Sequence, residues 1–454
     1  MSLSIVVLAA GKGSRMKSAK PKVMHKLAHK PLLQHVLDTA QRLEPASLTV
    51  VCGHGVEEVE PFLSEQGIQT VIQHEQKGTG HAVEQAKMQF KSSDQVLVLY
   101  GDVPLIQAAT LRALIDCGDR QSLKVLTVKL ATPKGYGRIV RDADGNMLKI
   151  IEEKDADEAT KKINEVNTGI MCIPSGWLTT VLSELDNDNA QGEYYLTDLV
   201  ALAVEENLAI HSVCCDEESE VAGVNDRMQL AVLERHYQQQ RAYDLMQAGV
   251  TIADPARIDI RGELYVGQDS YIDINTIFEG TNQIADNVTI GANCMIINSN
   301  IADGAVILPN SIIDNADVGA ACAVGPFARL RPGSKLAAKA RVGNFVEVKN
   351  ANIGLGSKVN HLSYIGDTDM GADVNIGAGT ITCNYDGANK HRTVIGDNAF
   401  IGSDTQLIAP VTVGKGATIA AGSTIRKDAP AESLTLTVSK QKTVEGWKRP
   451  VKKK

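Results

Sequence analysis

At 454 residues the chain is too long for one core and long enough for two or three domains, each burying an interior of its own. Charged residues make up 22% and the formal net charge is -8, so nothing global points to nucleic acid or an anionic membrane. Eight cysteines without C-x-x-C spacing, two of them adjacent at Cys214 and Cys215, exclude a dense disulfide framework and read as reduced thiols in a cytoplasm.

The segment from Met1 to Ala10 is apolar but short, has no basic residue before it and runs into a glycine loop. It reads as a buried strand, and no secretory or membrane-spanning segment is expected. From Leu3 to about Val224, apolar runs (SIVVLAA, SLTVVCG, QVLVLYGD, LKVLTVKL) alternate with segments of helical spacing, such as Pro31 to Arg42 and His81 to Phe90. That alternation predicts an α/β domain, a mostly parallel sheet with helices on both faces. Asp226 to Gln247 contains no Gly or Pro; with Asn225 as a possible N-cap and Gly249 as a stop, it predicts a long connecting helix.

Beyond the helix, aliphatic residues recur every sixth position: Val318, Val324, Leu330, Leu336, Val342 and Val348, then Ile395, Ile401, Leu407, Val413, Ile419 and Ile425. This period fits neither a lone helix nor simple strand alternation, and glycine often follows the aliphatic, as at Ile376-Gly377 and Ile401-Gly402. The pattern predicts a hexapeptide solenoid in which aliphatics point inward and small residues let the chain turn. Its register starts near Ile260 and slips by one residue around Ile301, Ile353 and Met370. The segment Thr382 to Thr393 (TCNYDGANKHRT) breaks it, either as a plain surface loop or as a functional one. The expected domains are therefore 1–225, a linker helix over 226–249, and 250–454.

The loop LAAGKGSRM lacks the third glycine of G-x-G-x-x-G, since Met16 stands there, and Lys12 does not fit the P-loop spacing. Alone, its G-x-G admits a tight turn as readily as a phosphate loop; Arg15, Lys20 and Lys22 add the cations that a triphosphate would need. Asp102 closes the strand QVLVLY, where open α/β sheets bind ligands and a carboxylate can hold Mg²⁺; the other reading is a cap on the turn before Pro104. No Ser-His-Asp or Cys-His arrangement is visible, and the histidines from His25 to His211 read as structural or surface residues. In the solenoid, residues some 18 positions apart should come into register about 5 Å apart, which stacks Arg331 on Lys349, a costly pairing unless an anion lies between. His361 is suited to take a proton from an ammonium, or is a hydrogen-bonded turn histidine.

LAAGKGSRM with Pro21-Lys22, Gln73 with Gly78-Thr79, Tyr100-Gly101-Asp102, Gly135-Tyr136-Gly137-Arg138, Glu152 and Asn167-Thr168-Gly169 together resemble the sugar nucleotidyltransferases. Joined to a hexapeptide region, the whole chain resembles the bifunctional N-acetylglucosamine-1-phosphate uridylyltransferase and glucosamine-1-phosphate N-acetyltransferase family. Ser14 stands where relatives often have Thr, and keeps the hydroxyl.

The resemblance implies a Rossmann-like first domain and a left-handed parallel β-helix that forms a trimer. It implies UTP against Leu8, Ala9, Ala10, Gly11, Gln73, Gly78 and Thr79, with Tyr100 and Gly101 nearby. Arg15 and Lys22 would act on the phosphates, Mg²⁺ would sit on Asp102 and Asn225, and the sugar phosphate on Gly137, Glu152 and Asn167. In the solenoid it implies His361 as base and a clamp of Arg331 and Lys349 on glucosamine-1-phosphate, with Tyr364 and Asn375 as further contacts. Ala378, Asn384, Tyr385, Ser403 and Ala421 would line the acetyl-CoA groove.

The tail from Arg426 to Lys454 carries nine Lys or Arg against three acids, a balance of 9 − 3 = +6, which suits CoA phosphates or a solvated end. Some relatives place an arginine where Val438 stands, leaving Lys440 and Lys442 as substitutes. The implied activity is cytoplasmic synthesis of UDP-N-acetylglucosamine for peptidoglycan and lipopolysaccharide precursors. Two alternatives stand beside it: a solenoid that is only regulatory or oligomeric, and a sugar-nucleotide sensor without turnover.

Overall fold

In the computed structural model, which describes residues 2–90, 92–438 and 440–452, the chain separates into two units, Met1–Tyr237 and Gln238–Lys454. The first is built on a nine-stranded sheet. Its strands in chain order are β1 (Leu3–Ala9), β2 (Ser47–Cys52), β3 (Gln69–Ile72), β4 (Gln95–Tyr100), β5 (Leu123–Lys129), β6 (Arg138–Arg141), β7 (Met147–Ile151), β8 (Glu165–Pro174) and β9 (Ile210–Cys215). The spatial order β9-β5-β8-β4-β1-β2-β3 is parallel except for β8, which runs antiparallel between β4 and β5 and carries the antiparallel β6–β7 hairpin at its side.

The sheet is covered on both faces. Ile5, Val7 and Ala9 pack with Leu33 and Val36 of α1 (Leu32–Gln41), while Val6 and Leu8 pack with Ala82 and Val83 of α3 (Thr79–Gln85), α2 being Val56–Ser64. Two-sided burial explains why β1 is apolar without alternation, each such side chain contributing about 1.5–3 kcal/mol. The helical segment expected from His81 to Phe90 is two pieces, α3 and α4 (Lys87–Phe90), because Ala86 leaves helical geometry at φ -89° and ψ 3°.

The long helix, Arg227–Gln247, contains the division between the units. Its cap is Asp226, not Asn225: the Asp226 Oδ1 accepts the Met228 and Gln229 N–H groups, each at 2.9 Å. Asn225 instead donates its backbone N–H to Gln229 Oε1. The far end is a Schellman stop, with Gly249 at φ 101° donating to Met246 O and Val250 to Leu245 O.

The second unit is a parallel β-helix with three faces per coil. Partners on neighbouring coils are 17 residues apart, as Thr289↔Val306, or 18, as Ala323↔Arg341, and the mixture accounts for the one-residue slips. One coil is longer: Thr368↔Thr393, Asn375↔Phe400 and Ile381↔Gln406 are each 25 apart, so the segment around 384–391 is an insertion of seven or eight residues in an otherwise kept register. Ile290, Ile307, Val324, Val342 and Val359 stack through the buried centre.

The corners turn on left-handed residues, three to a coil, as at Phe327, Gly333 and Lys339. Asn275, Asn293 and Asn310 hold equivalent turns. The glycines that follow the aliphatics have another purpose than the turning expected of them. A Cβ on Gly377 would stand 2.4 Å from Ser403 N, and one on Gly402 2.4 Å from Ala421 N, so they permit coils to stack.

Candidate active sites

In the first unit, the carboxyl ends of β1 and β4 are brought level by the pairing Leu8↔Tyr100. A cavity of about 510 Å³ opens there, lined by Leu8, Ala9, Ala10, Gly11, Lys22, Gln73, Gly78, Thr79, Tyr100 and Asp102, all expected at the nucleotide. Gly101 lies behind this wall, where a Cβ would meet Leu33 and Val23. Gln73 is set by two bonds, to the Gly78 carbonyl at 3.1 Å and to His81 Nδ1 at 2.9 Å, which puts His81, read as a structural or surface residue, directly beside the site. Gly78, at φ 110°, and Thr79 fit against the segment 194–196; the Leu196 N–H donates to Thr79 Oγ1 at 3.0 Å.

At the cavity mouth, four side chains from three parts of the chain converge. Lys22 forms an ion pair with Asp102 and lies 3.4 Å from Asn225 Oδ1, which also accepts from Arg15 at 2.9 Å. Gly13 permits this: its φ is 57°, and a Cβ there would stand 2.7 Å from Lys22 Cβ. Met16, in the place of a third glycine, is buried.

Gly137, Glu152 and Asn167 form a second group next to Tyr100. Asn167 donates its N–H to Gly137 O at 2.9 Å and accepts from Gly169 N with its Oδ1 at 3.0 Å. A Cβ on Gly137 would reach Glu152 Oε1 at 3.3 Å, and one on Gly169 would strike the Tyr100 ring. Burial pushes the Glu152 carboxyl above its ordinary range, against a bond from Thr197 Oγ1 at 3.2 Å. Burial also raises Tyr100, with Glu152 and Asp102 adding to it. Arg138 of the same motif is buried and paired with Glu153 at 2.7 Å, a structural position.

In the second unit, the pairing Leu330↔Val348 carries Arg331 beside Lys349 as the 18-residue spacing predicts. The cations are not left bare: Arg331 pairs with Glu347 at 2.8 Å, and Lys349 lies 3.9 Å from Asp367. Asp367 is a hub with φ 46°. Asn350 and Asn384 donate to its two oxygens; burial opposes its charge, but these bonds and Lys349 hold it below the usual carboxylate range. The Lys349 ammonium pushes Lys390 down, so two lysines share one carboxylate. Tyr364 pairs with Glu347 across the coils, and its hydroxyl is 3.5 Å from Asn384 Nδ2. Asn384, expected at acetyl-CoA, thus stands beside residues expected at the sugar phosphate. Tyr385, on the insertion, is exposed and donates to Gly387 O.

His361, Ala378, Ser403 and Ala421 form a separate column, each one residue before a left-handed corner: Leu362, Gly379, Asp404 and Gly422. His361 Nδ1 meets Asn344 Oδ1 at 3.0 Å. Asn375 lies in the same eleven-stranded sheet as His361, whereas Lys349 and Tyr364 lie in the seventeen-stranded one. Among the described residues no hydrogen bond joins the two groups. In the tail, Val438, Lys440 and Lys442 are exposed and without regular structure; Lys453 and Lys454 fall outside the described residues.

Family descriptions match three stretches: the MobA-like NTP transferase domain over residues 5–164, the GMPPB C-terminal domain over 260–359, and the bacterial transferase hexapeptide (six repeats) over 392–427. Two curated relatives named bifunctional protein GlmU, from Cupriavidus pinatubonensis and Janthinobacterium sp., are each 54% identical, with 99% of both chains covered. The chain belongs to the bifunctional GlmU family. It is accordingly a bifunctional transferase, with a nucleotidyltransferase unit and a hexapeptide acetyltransferase unit.

The GlmU residues also fit a magnesium ion. Asp102 and Asn225 direct oxygen atoms at one cation, the Lys22 ammonium, and hard oxygen donors of this kind suit Mg²⁺. No group of three or more His, Cys, Asp or Glu able to hold a metal occurs among the described residues. No helix among them is long and apolar enough to cross a membrane, and all eight cysteines are free. Sequence patterns missed Gly13's reason, His81, Asn344, Glu347 and Asp367. Only Gly13 lay within a recognised motif.

Proposed function

We infer that this chain makes UDP-N-acetylglucosamine in two steps, one on each unit. First, His361 takes a proton from the ammonium of glucosamine-1-phosphate, and the freed amine attacks the thioester carbonyl of acetyl-CoA. Arg331 and Lys349 grip the sugar phosphate, with Tyr364 and Asn375 as further contacts; Ala378, Ser403 and Ala421 leave room for the CoA arm, with Asn384 and Tyr385 at its edge. An anion placed among Lys349, Lys390 and Arg331 relieves a local excess of positive charge.

In the second step, an oxygen of N-acetylglucosamine-1-phosphate attacks the α-phosphorus of UTP and pyrophosphate leaves. The attacking phosphate is already ionised, so no protein nucleophile or base is required, and alignment with charge neutralisation supplies the catalysis. Leu8 to Gly11, Gln73, Gly78 and Thr79 hold the nucleotide, Arg15 and Lys22 take up phosphate charge, and Gly137, Glu152 and Asn167 hold the sugar. Mg²⁺, on Asp102 and Asn225, would neutralise the phosphates.

The clamp and the base lie on two different sheets of the coil, which supports sites completed by neighbouring chains in a homotrimer. The setting is cytoplasmic, with products feeding peptidoglycan and lipopolysaccharide precursors. The observation that carries the reading is the knot of Arg15, Lys22, Asp102 and Asn225 at the mouth of the cavity, in the same chain as the Lys349–Asp367 cluster.

The test is incubation with glucosamine-1-phosphate, acetyl-CoA, UTP and Mg²⁺. UDP-N-acetylglucosamine, pyrophosphate and free thiol should appear together. Substrate binding without turnover, or a nucleotide sugar formed equally well without acetyl-CoA, would overturn it. Light scattering should give three times the chain mass.

A further inference from the structure

We propose that Asn344 is a positioning residue for His361, holding the imidazole so that Nε2 is the atom that accepts the proton. This rests on the reading of His361 as the acetyl-transfer base. Asn344 Oδ1 lies 3.0 Å from His361 Nδ1. A carbonyl oxygen can only accept, so the ring proton sits on Nδ1 and the lone pair is left on Nε2.

The backbone is arranged for this contact. In the eleven-stranded sheet every strand has two residues except Arg341–Asn344 and Lys358–His361, which have four. The extra length carries the ladder to the pair Asn344↔His361. Both main chains are then pinned: the Asn344 carbonyl accepts the Leu362 N–H at 3.1 Å, and the His361 carbonyl accepts Ser363 Oγ at 2.8 Å. One coil further along, the column changes to Ala378, whose methyl offers His361 no competing partner.

In the reaction, the substrate N–H bond breaks as Nε2 takes its proton, and the nitrogen lone pair forms the bond to the thioester carbon. The C–S bond breaks, Nε2 returns its proton to the departing thiolate, and the second proton of the former ammonium passes from the new amide nitrogen to water. Asn344 Oδ1 keeps its hydrogen bond throughout and steadies the ring while it is an imidazolium.

The experiment compares Asn344→Leu, Asn344→Asp and His361→Ala in the full chain, following thiol release against pH and, separately, pyrophosphate release. Asn344→Leu removes the acceptor and should lower kcat for acetylation at least about tenfold with both KM values within about twofold. Asn344→Asp keeps an acceptor and adds a charge that favours the imidazolium. It should restore orientation and move the acidic limb of the kcat/KM profile upward by about one pH unit. Pyrophosphate release should be unchanged in both, which reports an intact first unit, while the unchanged KM values report an intact acetylation site. A wild-type kcat in Asn344→Leu, or an unmoved limb in Asn344→Asp, overturns the proposal. If His361→Ala acetylates normally, the base assignment itself fails; if it is inactive while Asn344→Leu is not, only the role of Asn344 fails.

Discussion

Lys22 and Asn225 are 203 positions apart and meet at the mouth of a cavity, whereas Asn344 and His361 are 17 apart and meet because one coil of the solenoid is that long. The first site is assembled by sheet topology: β1 and β4 lie side by side, and the loops that leave their carboxyl ends face each other. The second is assembled by translation, the same position returning on coil after coil. A topological site concentrates function in a few loop residues with special backbone requirements, Gly13 among them. A periodic site spreads it along columns, where the side chain and small local changes in strand length distinguish one position from the next.

Crossed substitutions should separate the two regions most sharply. His361→Ala is expected to lower acetyl transfer by about 10²–10⁴-fold and leave UTP-dependent pyrophosphate release at the wild-type rate. Asp102→Ala should abolish pyrophosphate release and spare thiol release. Loss of both activities in either variant would show that the two sites are not independent.

Gly13→Ala probes the backbone of the loop. It forces a left-handed Ala, a strain of about 1–3 kcal/mol, and drives a methyl into Lys22 Cβ. Uridylyl transfer should fall by about 10–100-fold, with acetylation unaffected; an active Gly13→Ala would mean that the Lys22 position is not held by this contact.

The smallest effect concerns stability. Burial, helped by Asp186, Glu152 and Asp155, pushes Asp198 up to about 6. A carboxyl raised in the folded state binds its proton more tightly there than in the unfolded chain. The resulting penalty is absent below about pH 4, develops as pH rises, and is complete above about pH 6. Asp198→Asn should therefore stabilise the first unit at neutral pH by roughly 1 kcal/mol after allowance for partial solvent access, or about 2–4 °C in Tm. The gain should disappear near pH 4, and a gain of equal size at both pH values would refute the cause given for it.

Much of the architecture was legible because burial leaves direct marks. The four apolar runs became β1, β2, β4 and β5, each covered on two faces, and the sixfold aliphatic period became the stacked centre of the solenoid. Finer choices were settled by local competition. Asp226 took the cap expected of Asn225 because its carboxylate reaches two N–H groups at once. The glycines after the aliphatics answer to the neighbouring coil, which no single hexapeptide records. Much of the site chemistry was legible as motif, but Glu347 and Asp367 were not. Their meaning lies in which cations the coil length sets beside them, so the neat expectation of two naked stacked cations was incomplete.

The long coil has one more consequence. All three of its faces rejoin the next coil 25 residues on. The residues between Cys383 and Thr393 therefore behave as a cassette: they leave the cylinder and return to it without passing any change in pitch to the rest. Selection or design can exchange that stretch while every other coil keeps its place.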